Sequence, residues 1–213
     1  MKLNDKIKRQ IGLAGVIIAC TLMASCKSEI VDGTTDIDNW PLVSIDVTYP
    51  EEFVHPGVLF DQNDIDRWRS IVQNQTQPQY GGFEILLNDE LSNPNYVMNG
   101  PYEQLYSGDA DGLPSIYLNF ADDFAAACQC AIIFAATGQQ RYASKSLEIL
   151  NAYANTVRGE MFSATGNSDH ILMIGNIAVK LVYATELLRY LPDSGMTDEM
   201  FAKVCNMLRT LCV

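Results

Sequence analysis

A run of polar residues, Gly166-Asn167-Ser168-Asp169-His170, stands directly before a long apolar segment, where a helix would begin. Polar side chains at a helix start lie beside unpaired backbone N–H groups, and donors of this kind can bind an anion such as a carboxylate. The alternative is structural, with Ser168 or Asp169 capping the helix and His170 packing beside it. Asn167, Asp169 and His170 are therefore candidate ligand-binding residues.

A second pair of candidates, Tyr117 and Asn119, precedes another apolar segment. We expect them to line the same end of the molecule, and packing in a loop or core is the alternative. The two histidines, His55 and His170, and the scattered acids show no metal-ligand spacing. The chain also lacks a Gly-rich phosphate loop and a nucleophile elbow. The sequence therefore predicts no metal and no cofactor, and His55, beside Pro56, is expected to fix a turn.

The elements that must position these groups are helices, in a repeated order of one apolar and one amphipathic segment. A helix that is apolar on every side is buried on every side, whereas an amphipathic helix faces water on one side. We therefore expect inner, more buried helices at 120–137 and 170–190. Outer helices that face water on one side are expected at 140–157 and 197–212.

The region before these helices contains weaker signals. Asp61 is a candidate N-cap for a helix that Pro78 ends, and a second helix is predicted over Tyr80–Leu91, with Phe83, Leu86 and Leu87 inward. Residues 93–114 form a long Gly- and Pro-rich loop, and no strand pattern is long enough to predict a sheet. The predicted fold class is all-α, an incomplete (α/α) toroid of inner/outer helical hairpins, and an open helical solenoid fits the same pattern.

The N-terminus carries the pattern of a secretory signal peptide. Four basic residues precede the uncharged segment Ile11–Ser25, and Leu22-Met23-Ala24-Ser25 leads to Cys26. We expect residues 1–25 to be removed and Cys26 to carry lipid, which gives an exported lipoprotein on the periplasmic or outer-membrane surface; cleavage elsewhere in an ordinary signal peptide is the alternative. Residues 26–52 are polar and acidic and are interpreted as a tether, and residues 53–213 as the domain.

Charge excludes one class of partner. The chain has 14 basic and 26 acidic residues, and without residues 1–25 it has 10 basic and 25 acidic residues. Nucleic-acid binding needs a basic footprint, so no nucleic-acid partner is predicted. Cys128 and Cys130 lie in an Ala-rich apolar segment without the spacing of redox or zinc pairs, and we interpret them as buried structural residues.

Three segments carry a resemblance to a known family. The first is His55-Pro56-Gly57-Val58-Leu59-Phe60 with Asp64, Ile65 and Trp68, the second runs from Ala136-Thr137-Gly138 to Ala152, and the third is Ala184–Tyr190. In their order and spacing over residues 53–213, they resemble the alginate-lyase-like polysaccharide lyases. That resemblance implies an (α/α) toroid and β-elimination on a uronic-acid polysaccharide of the alginate or glucuronan type. The candidates for contact with such a substrate are the residues at the helix starts, Tyr117, Asn119, Asn167, Asp169 and His170.

The implied reaction needs a group that neutralises the uronate carboxylate, a base for the C5 proton and an acid for the leaving oxygen. The family's Asn-His or Asn-Trp neutraliser motif does not occur at the position where the resemblance would place it. The chain stops inside an apolar helical pattern at residues 211–213. We therefore expect the rest of the domain and the catalytic residues after residue 213, and the chain alone to be inactive.

The alternative function is a non-catalytic helical-repeat lipoprotein that binds glycan or a partner protein. Residues 138–143, Gly-Gln-Gln-Arg-Tyr-Ala, are also compatible with tetratricopeptide-like repeats. The apolar helices are longer than a 34-residue repeat normally allows, and the His-Pro-Gly turn has no role in a repeat array. The sequence therefore favours the lyase interpretation.

Overall fold

The computed structural model describes residues 53–108, 114–164 and 169–212, and the side chains of Asp169 and Cys212 fall outside that description. The predicted signal peptide, the lipid-bearing Cys26 and the tether over 26–52 lie outside the described residues. The helices are α1 (Gln62–Asn74), α2 (Gln79–Leu87), α3 (Tyr117–Thr137), α4 (Gln140–Thr156), α5 (Asp169–Tyr190) and α6 (Asp198–Cys212). The described part of the chain is mostly helical, as predicted.

Helix α1 begins where the sequence predicts, because Asp61 forms a capping box. Its Oδ1 accepts a hydrogen bond from the Asp64 backbone N–H at 2.9 Å, and Asp64 Oδ2 accepts one from the Asp61 N–H at 3.3 Å. Thr197 caps α6 in a similar way, since its hydroxyl accepts a hydrogen bond from the Met200 N–H at 3.2 Å. The predicted cap at Asp61 is confirmed.

Helix α2 is shorter than predicted. It ends at Leu87, and a separate 3₁₀ turn covers Glu90–Ser92. Two polar side chains compete with the helix: Asn88 Nδ2 donates to the Glu84 carbonyl at 2.7 Å, and Asp89 Oδ1 accepts from the Leu91 N–H at 2.8 Å. Leu87 is exposed, so the prediction that it faces inward is wrong.

Helix α3 forms the centre of the core and packs against α1, α4 and α5. Gly138 connects α3 to α4 in the left-handed conformation at φ 69°. Lys145 on α4 is buried, and its Nζ donates to the Tyr96 carbonyl at 2.9 Å and pairs with Glu148 Oε2 at 2.7 Å. Cys128 and Cys130 are free and buried, as predicted.

The predicted burial order holds for α3 and only in part for α5, which is more buried than α6 but less buried than α4. In α3, 72% of the most apolar stretch is buried, against 44% in α5. Both helices are long and apolar enough to cross a membrane by length and composition alone, a property that core helices share. The first half of α5 exposes Ile171 and Leu172, because no described element covers that side.

His55 fixes the N-terminal turn against α5, as expected. Its Nδ1 lies 2.8 Å from Glu186 Oε1, and its ring stacks on Tyr190 at 4.2 Å between centroids. The Gly57 N–H donates to the same Glu186 oxygen at 3.1 Å.

Two very short strands, β1 (Tyr106–Ser107) and β2 (Phe162–Ser163), pair in parallel. The sequence did not predict them, since two residues cannot display a strand pattern. They precede α3 and α5 respectively, so their pairing brings the starts of these two helices to one end of the domain. The opposite end holds the start of α4, where Gln140 Nε2 donates to the Ser194 carbonyl at 3.3 Å.

Candidate functional site

The candidate residues belong to the first turns of α3 and α5, at the end where β1 and β2 pair. Helix α3 begins three residues earlier than predicted, so Tyr117 and Asn119 lie within its first turn. His170 lies in the first turn of α5 and is half-buried. Asp169 begins α5, but its side chain is outside the described set, and Asn167 lies outside the described residues altogether. The contacts that can be described are therefore those around Asn119, at the start of α3.

Asn119 is exposed and makes a hydrogen bond that the sequence did not indicate. Its Nδ2 donates to the Tyr102 hydroxyl at 3.1 Å, and that hydroxyl donates in turn to the Asn99 carbonyl at 3.0 Å. The Asn119 carbonyl also accepts a hydrogen bond from Asn99 Nδ2 at 3.3 Å. A side-chain amide and a phenol thus lie next to each other at the surface.

Tyr117 has a packing environment. It is half-buried, and its ring meets the edge of Phe120 at 5.5 Å between centroids. Two positions apart on a helix, Tyr117 and Asn119 point in different directions. The structure places these two candidates in one turn, but their side chains do not meet. For Tyr117, packing in the core, the alternative given above, is the better interpretation.

A buried carboxylate holds the loop that carries Tyr102. Asp123 has no solvent exposure, and its Oδ1 accepts hydrogen bonds from the Tyr96 hydroxyl at 2.7 Å and the Asn99 N–H at 2.9 Å. Its Oδ2 accepts from the Gly100 N–H at 2.9 Å and the Tyr153 hydroxyl at 2.6 Å. Two tyrosines and two backbone donors compensate the buried charge, as a carboxylate in an apolar core requires.

The two tyrosines bonded to Asp123 are hydrogen-bond donors rather than bases. Burial, followed by the hydrogen bond to the Asp123 carboxylate, raises the pKa of Tyr96 and of Tyr153 well above the usual value for a phenol. Both hydroxyls therefore stay protonated at neutral pH. Neither can remove a proton from a substrate, and their role is to fix the loop between 96 and 102.

An aromatic pair lies at the same end of the domain. The rings of Tyr106 and Phe162 stack at 5.5 Å between centroids, and Phe162 is 40% exposed. The Tyr106 hydroxyl donates to the Pro114 carbonyl at 3.1 Å, which ties the start of the α3 segment to β1. Exposed aromatic faces of this kind can stack against the apolar face of a sugar ring.

Sequence reasoning missed Tyr102, Asn99 and the residues around Asp123. One signal was present, because Asp122 and Asp123 interrupt an otherwise apolar helix, and a buried acid must find donors elsewhere in the chain. The identity of those donors could not be deduced, since Asn99 and Gly100 donate through their backbones.

Among the described residues, no three His, Cys, Asp or Glu side chains come together as a group that could hold a metal ion. The comparisons with protein-family models, curated proteins and solved structures find no match for this chain.

Proposed function

We propose that residues 53–213 are the N-terminal part of a polysaccharide lyase domain with an (α/α) toroid fold, and that its substrate is a uronic-acid polysaccharide of the alginate or glucuronan type. In this proposal the protein is exported and held on the membrane by lipid on Cys26. The substrate lies across the end of the domain where α3 and α5 begin. The observation that carries the proposal is the hydrogen bond between the exposed Asn119, at the start of α3, and the half-buried Tyr102 of the preceding loop.

The pair suits the first requirement of β-elimination. An amide N–H that binds the uronate carboxylate withdraws charge from it and makes the C5 proton more acidic. A phenol beside the amide can hydrogen-bond the same sugar or take part in proton transfer. Asp123 supports this arrangement, because its four strong hydrogen bonds keep the 96–102 loop, and with it Tyr102, in place against α3.

The remaining catalytic groups belong, in this proposal, to further helices of the toroid. Such helices would also cover Ile171 and Leu172, whose side of α5 is exposed at 65% and 69%. The same exposure fits the alternative of a non-catalytic helical-repeat protein, in which a partner protein would cover it. The two proposals differ in whether the Asn119 end recognises uronate.

The test is binding of alginate and glucuronan oligosaccharides to residues 26–213, measured by calorimetry, with a neutral oligosaccharide of equal length as reference. We expect the uronate ligands to bind and the neutral ligand to bind at least tenfold more weakly. Asn119→Ala and Tyr102→Phe should each lower uronate affinity by about five- to tenfold, since each removes one hydrogen bond. Asn206→Ala, the same change at an exposed position on α6, is the matched control.

Ultraviolet absorbance of the unsaturated sugar formed by β-elimination provides the second measurement. Residues 26–213 should bind without forming this product, and a chain extended with the downstream hairpins should form it. Equal affinity for uronate and neutral ligands, or no effect of Asn119→Ala, would favour the non-catalytic alternative. Product formation by residues 26–213 alone would show that the catalytic groups lie within this chain.

A further inference from the structure

A groove separate from the candidate site lies between α1, α2 and α3. It has a volume of about 410 Å³ and an apolar lining formed mainly by Trp68, Ile71, Phe83, Leu86 and Ile132. Ile132 lies 13 positions after Asn119, which is about 20 Å along the helix. The groove therefore belongs to the opposite part of α3. Its size is in the range of sites for small ligands.

A second cavity of about 410 Å³ adjoins the groove, because Val72 and Ala136 line both. Its lining is different in character, since it includes the polar residues Arg69, Gln73 and Gln139. The two cavities are therefore neighbours, and we treat the first as the apolar part and the second as the polar part of one candidate site.

Arg69 supplies positive charge at the polar part. Its Nε donates to the Ala135 carbonyl at 3.0 Å, near the end of α3, and no carboxylate in the described ranges pairs with it. The described ion pairs engage Arg67, Lys145, Arg189 and Lys203 with acids instead. A guanidinium has five N–H donors, so four remain after the bond to Ala135. In a chain with a net charge of −12, Arg69 is a cation that lacks a carboxylate partner among the described residues.

We propose that this groove binds an aliphatic monocarboxylate, with the hydrocarbon chain in the apolar part and the carboxylate at Arg69. Burial of the chain against Trp68, Phe83 and Ile132 supplies the hydrophobic contribution, and the guanidinium selects a negative head group. The exposed amides of Gln73 and Gln139 can donate to the same carboxylate. This site is independent of the uronate site proposed above.

Two other ligand classes fit less well. A sugar would place several hydroxyl groups against Ile71, Leu86 and Ile132, where they would lose water without gaining partners. An alkylamine would bring a second positive charge to Arg69. The apolar lining and the unpaired cation therefore point to the same class of ligand.

Calorimetry with octanoate, 1-octanol and octylamine on the full chain tests the proposal, because the three share one hydrocarbon chain and differ in head group. Octanoate should bind about tenfold more tightly than octanol, and octylamine more weakly than either. Glucuronate, which carries a carboxylate without an aliphatic chain, should not compete with octanoate. Competition by glucuronate would overturn the proposal in favour of a sugar site.

Two variants separate the two parts of the site. Arg69→Gln can keep the bond to Ala135, because Gln Nε2 occupies the position of Arg Nε, and it removes the charge. It should lower octanoate affinity about tenfold and leave octanol unchanged. Gly82→Leu should abolish binding of both, since a Cβ at Gly82 meets open space in the lining of the groove.

Arg209→Gln, which removes a charge on α6, is the control and should change neither affinity. The melting temperature of each variant shows that it folds. Equal binding of octanoate and octanol to the unmodified protein, the absence of any binding, or unchanged affinities in Gly82→Leu would each overturn the proposal.

Discussion

The hydrogen-bond donors around Asp123 require a carboxylate at this position and exclude an amide. Each of its two carboxylate oxygens accepts one backbone N–H, from Asn99 at Oδ1 and from Gly100 at Oδ2. Tyrosine hydroxyls can rotate to suit a new partner, but backbone N–H groups cannot. An amide at this position would therefore place its NH₂ group against a fixed donor in either orientation.

Asp123→Asn should accordingly lower the free energy of unfolding by about 3 kcal/mol, although the two side chains have nearly the same shape. Urea denaturation followed by circular dichroism measures the change. Asp122→Asn, at the exposed neighbouring position, is the matched control and should change stability by less than about 0.5 kcal/mol. Equal stability of the two variants would contradict the hydrogen-bonding scheme.

The buried cysteines give a second prediction at this scale. Burial raises the pKa of the Cys128 thiol to about 11 and that of Cys130 to about 12, from an ordinary value of 9.0. Since thiolate is the reactive form, iodoacetamide at pH 8 should modify the half-buried Cys205 well before Cys128 and Cys130. Peptide mass mapping over time measures the order.

The sign of the pH effect on stability follows from the same shifts. Their raised pKa values mean that the two thiols favour the folded state below pH 9, and that this contribution is lost as pH rises towards 11 and 12. Early labelling of Cys130 in folded protein would contradict its burial.

At the scale of elements, the sequence predicted the four long helices because their hydrophobic patterns extend over many turns. It failed where one or two residues decide the outcome. Asn88 and Asp89 end α2 through their own hydrogen bonds, and the two-residue strands have no pattern at all. The sequence overestimated the burial of α5, because an apolar pattern does not indicate which other helices pack against it.

Two glycines should respond to alanine in opposite directions. Gly138, at φ 69° between α3 and α4, needs a conformation that L-residues disfavour, so Gly138→Ala should lower stability by about 1 kcal/mol. Gly82, inside α2, meets no atom within 4 Å of an added Cβ, so Gly82→Ala should raise stability by about 0.5–1 kcal/mol. Chemical denaturation measures both, and effects of the same sign would contradict this account.

The candidate site was predictable to a similar extent. Asn119 and His170 could be selected because polar residues stand out before long apolar segments. Tyr102 could not, because its approach to Asn119 depends on a loop that Asp123 holds through backbone groups. Local pattern therefore located the end of the domain that carries the candidates, and tertiary contacts decided which side chains meet there.

At the scale of the whole molecule, membrane attachment remains a prediction of the N-terminal sequence. Cys26→Ser should move the protein from the membrane fraction to the soluble fraction, because it removes the thiol that would carry the acyl chains. Fractionation with a radioactive fatty-acid label measures both the position and the lipid. Ser28→Ala, which lies outside the Leu22–Cys26 sequence, is a control for general effects on export. Unchanged fractionation and labelling of Cys26→Ser would contradict the assignment.

The turn around His55 has a consequence for the order in which the chain folds. His55 and Glu186 are 131 positions apart, and joining two points that far apart in an unfolded chain costs about 4 kcal/mol of entropy. Once α1 has docked on α3 and α3 on α5, the remaining loop is short and the cost falls. The turn should therefore dock last and detach first, so that amide hydrogens near Gly57 exchange with solvent while those of α3 stay protected.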